Sequence, residues 1–231
     1  MTSGTGVRRC ALGGIVGPAA FVAAWSIGGL AATHYSAIDD AISHLAEIGA
    51  PTRAFMTAGF VVFGIGLPVY AVSLRAALPG WSWATAAATG LATLGVAAAP
   101  LGRSSSGDTV HGVFAGAGYA TLALTPLLAA GPLRRAGRTA AANLSVAAGS
   151  LAGISLLATT ATAANGLFQR LGLTIVDVWV VVTAVEILRD RLTARRLDDG
   201  RGKLGGWQIP RRPWSLRQRS CSRTSRAGAG P

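Results

Sequence analysis

The sequence predicts an all-α, polytopic membrane protein: a bundle of about six transmembrane helices with one short amphipathic exterior helix and a disordered basic tail. Three observations predict it. Hydrophobic residues make up 51% of the 231 positions and charged residues only 13%, with a mean hydropathy of +0.46, whereas an average soluble domain is roughly 25% charged. Five apolar stretches, 11–33, 54–74, 81–101, 110–130 and 140–162, contain no Asp, Glu, Lys or Arg. Each reaches the roughly 20 residues that a helix needs to cross about 30 Å of hydrocarbon. The net charge of +12 is carried mainly by a tail, since 12 of the 21 basic residues lie at or beyond Arg189. At this length only helices satisfy the backbone inside lipid, which excludes sheet.

A sixth stretch, 171–188, holds Asp177 and Glu186, but its Val-rich middle around Trp179 still reads as a span. The first stretch follows Arg8 and Arg9 and is longer than the apolar core of a signal peptide, so it is read as an anchor. Small residues recur four apart in Gly13 with Gly17, Gly112 with Gly116 and Gly149 with Gly153, a spacing that lets membrane helices approach closely. Pro68 and Pro126 lie within spans, where a membrane helix tolerates them. The domain organisation is therefore a six-helix transmembrane domain, 1–197, and a tail, 198–231. Basic residues flanking the spans number ten on the side of both termini and three on the other, which predicts cytoplasmic termini and a multi-pass protein of the plasma (inner) membrane. Twenty Arg against the single Lys203, with abundant Ala and Gly, fits a GC-rich bacterial genome. Cys10 and Cys221 form no metal-binding spacing and are expected as reduced thiols.

The tail is rich in Arg, Ser, Gly and Pro, carries Trp207 and Trp214, and has no apolar periodicity, so it is expected to be disordered in water. Its charge suits anionic lipid. No nucleic-acid-binding module accompanies it, and membrane lipids are the expected partners.

The sequence contains no GxGxxG, GxxxxGK[ST], HExxH or GxSxG, which removes support for nucleotide-driven transport and for the common hydrolases. Chemistry-bearing residues gather instead in the loop between the first two spans. There Ser36 and Asp39 suggest a capping box and Gly49 and Pro51 a stop, so a short helix is predicted between them. At about 100° per residue Ile38, Ala41, Ile42, Leu45 and Ile48 share one face, and Asp40, His44 and Glu47 the other. Those three are candidate binding residues. His34 and His111 fall at the same exterior level, and Asp177 lies about 9 Å below it on a face shared with Arg170 and Thr174. An intramembrane carboxylate marks a functional site or an internal pair, here a convergence of His44, His111 and Asp177 on one exterior cavity or an Arg170–Asp177 ion pair. Were a metal bound, its ligands would come from His44, His111, Asp40 and Asp177. No cofactor is expected. Glu186 is read as the interfacial partner of Arg189.

Four stretches, Gly14-Ile15-Val16-Gly17-Pro18, Ile42-Ser43-His44-Leu45 with Gly49 and Pro51, His111-Gly112, and Gly166-Leu167-Phe168-Gln169-Arg170-Leu171 followed by Trp179, resemble the domain of unknown function 998 family of prokaryotic membrane proteins. The resemblance spans about 11–188 and implies a six-helix integral membrane protein with no established activity and no assigned catalytic residue. The functional expectation is a non-enzymatic membrane protein that binds a lipid, small molecule or partner through its exterior loop and bundle. The alternatives are a proton-coupled carrier using Asp177 and His111, and a metal-dependent membrane-embedded hydrolase of a lipid or acyl substrate.

Overall fold

The computed structural model describes residues 3–192; the tail at 198–231 lies outside them. Among the described residues every regular element is helical. The chain runs α1 (Ser3–Arg9), a 3-10 turn (Cys10–Leu12), α2 (Gly13–Ala31), a loop containing a 3-10 helix (Ile42–Ala46), then α3 (Arg53–Ala77), α4 (Ser82–Ala98), α5 (Ser105–Arg135), α6 (Thr139–Ala158) and α7 (Asn165–Leu188). Each of α2 to α7 packs on the next, and α7 returns to α2, α3 and α5, closing the bundle.

Apolar composition makes these segments helical and also sets which side faces out. Leu30, Leu91, Val113, Ile154, Leu157 and Val178 are exposed on the outer surface, as lipid-facing residues must be. Polar groups point inward and satisfy one another. Tyr70 and Thr183 lie 2.6 Å apart through their hydroxyls, Trp179 donates to Ser145 at 2.9 Å, and the Thr89 and Thr121 hydroxyls meet at 2.9 Å. Where lipid gives no hydrophobic drive between helices, such bonds and close backbone contacts hold the bundle. Gly66 shows the second device: a Cβ there would sit 2.7 Å from the Gly13 carbonyl and 3.0 Å from the Gly17 Cα, so α2 and α3 touch backbone to backbone. Gly149 likewise meets the Ala123 carbonyl of α5. Gly112 and Gly116, by contrast, have nothing within 4 Å and face outward.

Five helices are long and apolar enough to cross a membrane, and the protein is a multi-pass membrane protein. The remaining expected span, the third (81–101), is α4, with 17 residues, about 26 Å at 1.5 Å per residue. The two largest boundary shifts are at the starts of the first and last spans. The first apolar span starts before the expected run, at Thr5. The last begins at Asn165 rather than near 171, so the Gly166–Leu171 motif forms its first two turns and Arg170 belongs to a helix rather than a connection. The helix start packs against the first loop: Gly166 presents no side chain, and a Cβ would collide with the loop carbonyls of Asp40 and Ala37.

The short loop helix is present but reduced to Ile42–Ala46. The expected helix face from Ile38 to Ile48 is not continuous, because Ala41 and Glu47 flank the 3-10 helix in extended conformation. Upstream, the polar side chains turn the chain on itself: the Asp40 carboxylate accepts from the Ser36 N–H at 2.7 Å and Ser36 Oγ donates to Asp39 at 2.7 Å. Ile42 and Leu45 are each 1% exposed, while Ile38 and Ile48 are 56% and 42% exposed. The loop thus plugs into the bundle mouth with its centre and leaves its flanks outside.

The Arg170–Asp177 ion pair is not formed. Arg170 bonds to loop carbonyls, and neither oxygen of Asp177 has a hydrogen-bond partner among the described residues. Nor does Glu186 pair with Arg189. It meets Arg138 at 3.2 Å and Arg191 at 3.7 Å, because the end of α7 turns Arg191 back toward it and α6 brings Arg138 alongside.

Candidate functional site

Helices α5 and α7, with Thr52 just before α3, hold the loop in place through buried polar side chains. Gln169, in the first turns of α7, accepts the Ile42 N–H at 2.7 Å on its Oε1 and donates through Nε2 to the Tyr119 hydroxyl of α5. Arg170, one residue on, donates to the carbonyls of Ala37 at 2.8 Å, Asp40 at 3.1 Å and Gly166 at 2.8 Å, and to the Tyr35 hydroxyl. Its guanidinium also sits 5.5 Å from the Trp25 ring centre and 5.4 Å from that of Tyr35. Carbonyl dipoles and ring faces, rather than a carboxylate, thus neutralise this buried cation. Burial pushes the Tyr35 hydroxyl above its ordinary pKa of 10.0, and the neighbouring Arg170 charge offsets part of that rise.

From α5, His111 reaches the loop centre. Its Nδ1 lies 2.7 Å from the Ala99 carbonyl and its Nε2 lies 2.9 Å from Ser43 Oγ. Farther along, Leu167 N–H donates to the Ile38 carbonyl and Ile48 N–H to the Leu101 carbonyl, and Thr52 Oγ1 donates to the Leu45 carbonyl at 2.8 Å. The loop is clamped along its whole length.

Two cavities lie on either side of this clamp. Below the loop, inside the bundle, is a cavity of about 50 Å³ with walls that include Phe21, Phe60, Phe63 and Phe114 and with Ser43, Tyr119 and Gln169 among its polar lining. Above it is a surface pocket of about 290 Å³ lined in part by His34, Tyr35, Asp40, His44 and Glu47.

The candidates expected from sequence therefore separate. Asp40, His44 and Glu47 share the surface pocket, where His44 Nδ1 and Glu47 meet at 3.0 Å with side chains 48% and 39% exposed. His111 and Arg170 belong to the clamp. Asp177 lines neither cavity. The expected convergence of His44, His111 and Asp177 is not formed, because the loop inserts through Ser43 and turns His44 to the surface. The set His44, His111, Asp40 and Asp177 is not a metal site either: among the described residues no three His, Cys, Asp or Glu side chains gather to hold an ion. Both nitrogens of His111 are already engaged. The metal-dependent hydrolase loses its ligand set with them.

A family model described as "Protein of unknown function (DUF998)" matches residues 15–186. The chain belongs to this family. No curated protein and no solved structure matches it significantly. The stretches that carried the DUF998 resemblance in the sequence acquire a physical role here: Ser43, His111, Gly166, Gln169 and Arg170 all meet at the clamp. Ser43, Gln169, Tyr119 and Tyr35 are uncharged and were not among the expected binding residues. Their signal was the position of Ser43 and Gln169 inside the short DUF998-like motifs.

Proposed function

We propose that the protein binds the hydrocarbon chain of a lipid or similar amphiphile in the cavity beneath its clamped loop. The observation that carries this reading is the cavity lining, four phenylalanines with a few hydrogen-bonding groups, the usual make-up of a small-molecule pocket. Phe114 supports entry from the bilayer. It lines the cavity, is itself 38% exposed and packs on Gly95 of α4, so its ring both walls the cavity and reaches the outer surface at the α4–α5 seam. The cavity holds about four water-sized volumes at about 10–15 Å³ each, room for a chain end rather than a whole lipid.

Native mass spectrometry of protein purified in mild detergent tests the reading. A bound lipid is expected, and Phe63→Trp, which fills the cavity, is expected to lower its occupancy several-fold. Occupancy unchanged by that substitution, or no lipid retained at all, overturns it.

In the same reading the loop faces the exterior and both termini the cytoplasm, supported by the ten-to-three division of flanking basic residues. A cysteine introduced at Glu47 in a chain lacking Cys10 and Cys221 is expected to react with an impermeant maleimide on intact cells, and one at Arg135 to remain unlabelled. The segment 198–231 is proposed to contact anionic lipid through its arginines, with Trp207 and Trp214 at the interface. A proton-coupled carrier remains a second reading, favoured by the buried and unpartnered Asp177 alone. Proton uptake accompanying solute entry into proteoliposomes, abolished by Asp177→Asn, is its expected signature.

A further inference from the structure

Holding the loop requires hydrogen bonds, but the Ser43–His111 pair has a polarity that exceeds that requirement. The Ala99 carbonyl has no proton to give, so His111 Nδ1 carries the hydrogen of their 2.7 Å bond. In the neutral ring Nε2 is then a lone pair, and it accepts the Ser43 hydroxyl proton across 2.9 Å. A hydroxyl bonded to one imidazole nitrogen, with the other nitrogen oriented by an acceptor, is the arrangement that activates a serine nucleophile. Here a backbone carbonyl takes the orienting place. Both residues are buried, at 7% and 5% exposure, and Ser43 lines the phenylalanine-walled cavity. Tyr119 lines the same cavity. It accepts the Gln169 Nε2 hydrogen, and its own hydroxyl proton has no acceptor among the described residues, leaving it free for a ligand oxygen.

From this geometry we infer that Ser43 is an acyl-accepting nucleophile, with His111 as its base, for a long-chain carboxylic ester whose chain enters the cavity. The inference rests on the cavity being a lipid-chain site. Ser43 Oγ forms a bond to the ester carbonyl carbon and passes its proton to His111 Nε2, while the Tyr119 hydroxyl donates to the carbonyl oxygen as negative charge develops there. The ester C–O bond breaks, and the leaving alkoxide takes the proton from Nε2. Water then attacks the acyl-serine, gives a proton through the same nitrogen back to Oγ, and releases the fatty acid.

A hexadecyl fluorophosphonate, which phosphonylates an activated serine with loss of fluoride, tests this on the full chain in detergent, with modified peptides mapped by mass spectrometry. Ser43 is expected to be labelled and Ser36, in the same loop without a histidine partner, is not. His111→Gln keeps one donor and one acceptor at this position but lacks a basic nitrogen. Labelling there is expected to slow at least tenfold. Should that variant not fold, excess methyl palmitate is expected to slow wild-type labelling tenfold, and no slowing overturns the inference. An unlabelled Ser43 on protein that retains lipid, or equal labelling with Gln at 111, overturns the nucleophile and leaves lipid binding standing. Labelling that an ester without a long chain blocks equally well overturns the chain site instead.

Discussion

At the loop end of the bundle Gln169, Arg170 and His111 are each less than a tenth exposed and bind backbone groups or hydroxyls of another segment. At the opposite end Arg138, Glu186, Arg191, Arg8 and Asp190 meet as ion pairs whose side chains are between 20% and 62% exposed. The first set forms one specific arrangement and leaves costly orphans if any member is removed. The second tolerates exchange and is screened by salt. The charged residues that catch the eye in the sequence thus contribute least at one end, and a cation without a carboxylate contributes most at the other.

The strongest way to break this contrast is Arg170→Ala, which frees the loop carbonyls of Ala37 and Asp40 and that of Gly166 in α7 at once. A loss of at least about 3 kcal/mol is expected from charge-assisted bonds in a buried site, measured as thermal unfolding in detergent. A loss below about 1 kcal/mol would show that the loop does not depend on the clamp. Gly166→Ala comes next, since its Cβ would sit 2.8 Å from the Ala37 carbonyl. Overpacking of this kind costs about 1–3 kcal/mol, and an increase in protease cleavage between Tyr35 and Pro51 is the accompanying readout.

A pH series sharpens the comparison. The Tyr35 hydroxyl is raised above 10.0 by burial in the folded state, so its contribution is fully present below pH 10 and is lost as pH rises through the folded-state value. The unfolding temperature is expected to fall above pH 10 by less in Tyr35→Phe than in the parent chain, and identical falls would contradict the burial of this hydroxyl. Glu186→Gln should change stability by less than about 1 kcal/mol, with the difference vanishing in high salt. Asp177→Asn is the smallest: with no partner to lose, the unfolding temperature is expected to stay or rise, and a clear drop would reveal one.

The spans were legible because lipid imposes a length and a composition that single residues cannot hide. Where the sequence misled, the deciding interaction was long-range. Ile42 bonds Gln169 across 127 positions and Ser43 bonds His111 across 68, and these contacts determine which loop residues turn inward. Helical periodicity assigned His44 and Asp40 correctly to the surface but carried Ile38 and Ile48 inward with the rest, since it had no means of registering the extended residues at Ala41 and Glu47. Among charged groups, spacing left an Arg170–Asp177 pair open as one of two alternatives, and the loop carbonyls take up the arginine instead.

The helix lengths of α4 and α5 carry a consequence for the surrounding bilayer. Neighbours in the bundle, they have 17 and 31 residues, about 26 Å and about 46 Å of helix. One sector of the perimeter therefore suits a hydrocarbon core thinner than the average 30 Å, while the adjacent one must tilt or stand beyond it. Phe114 borders that sector, so on the proposed lipid-chain reading short-chain or loosely packed lipids are the ones expected beside the cavity.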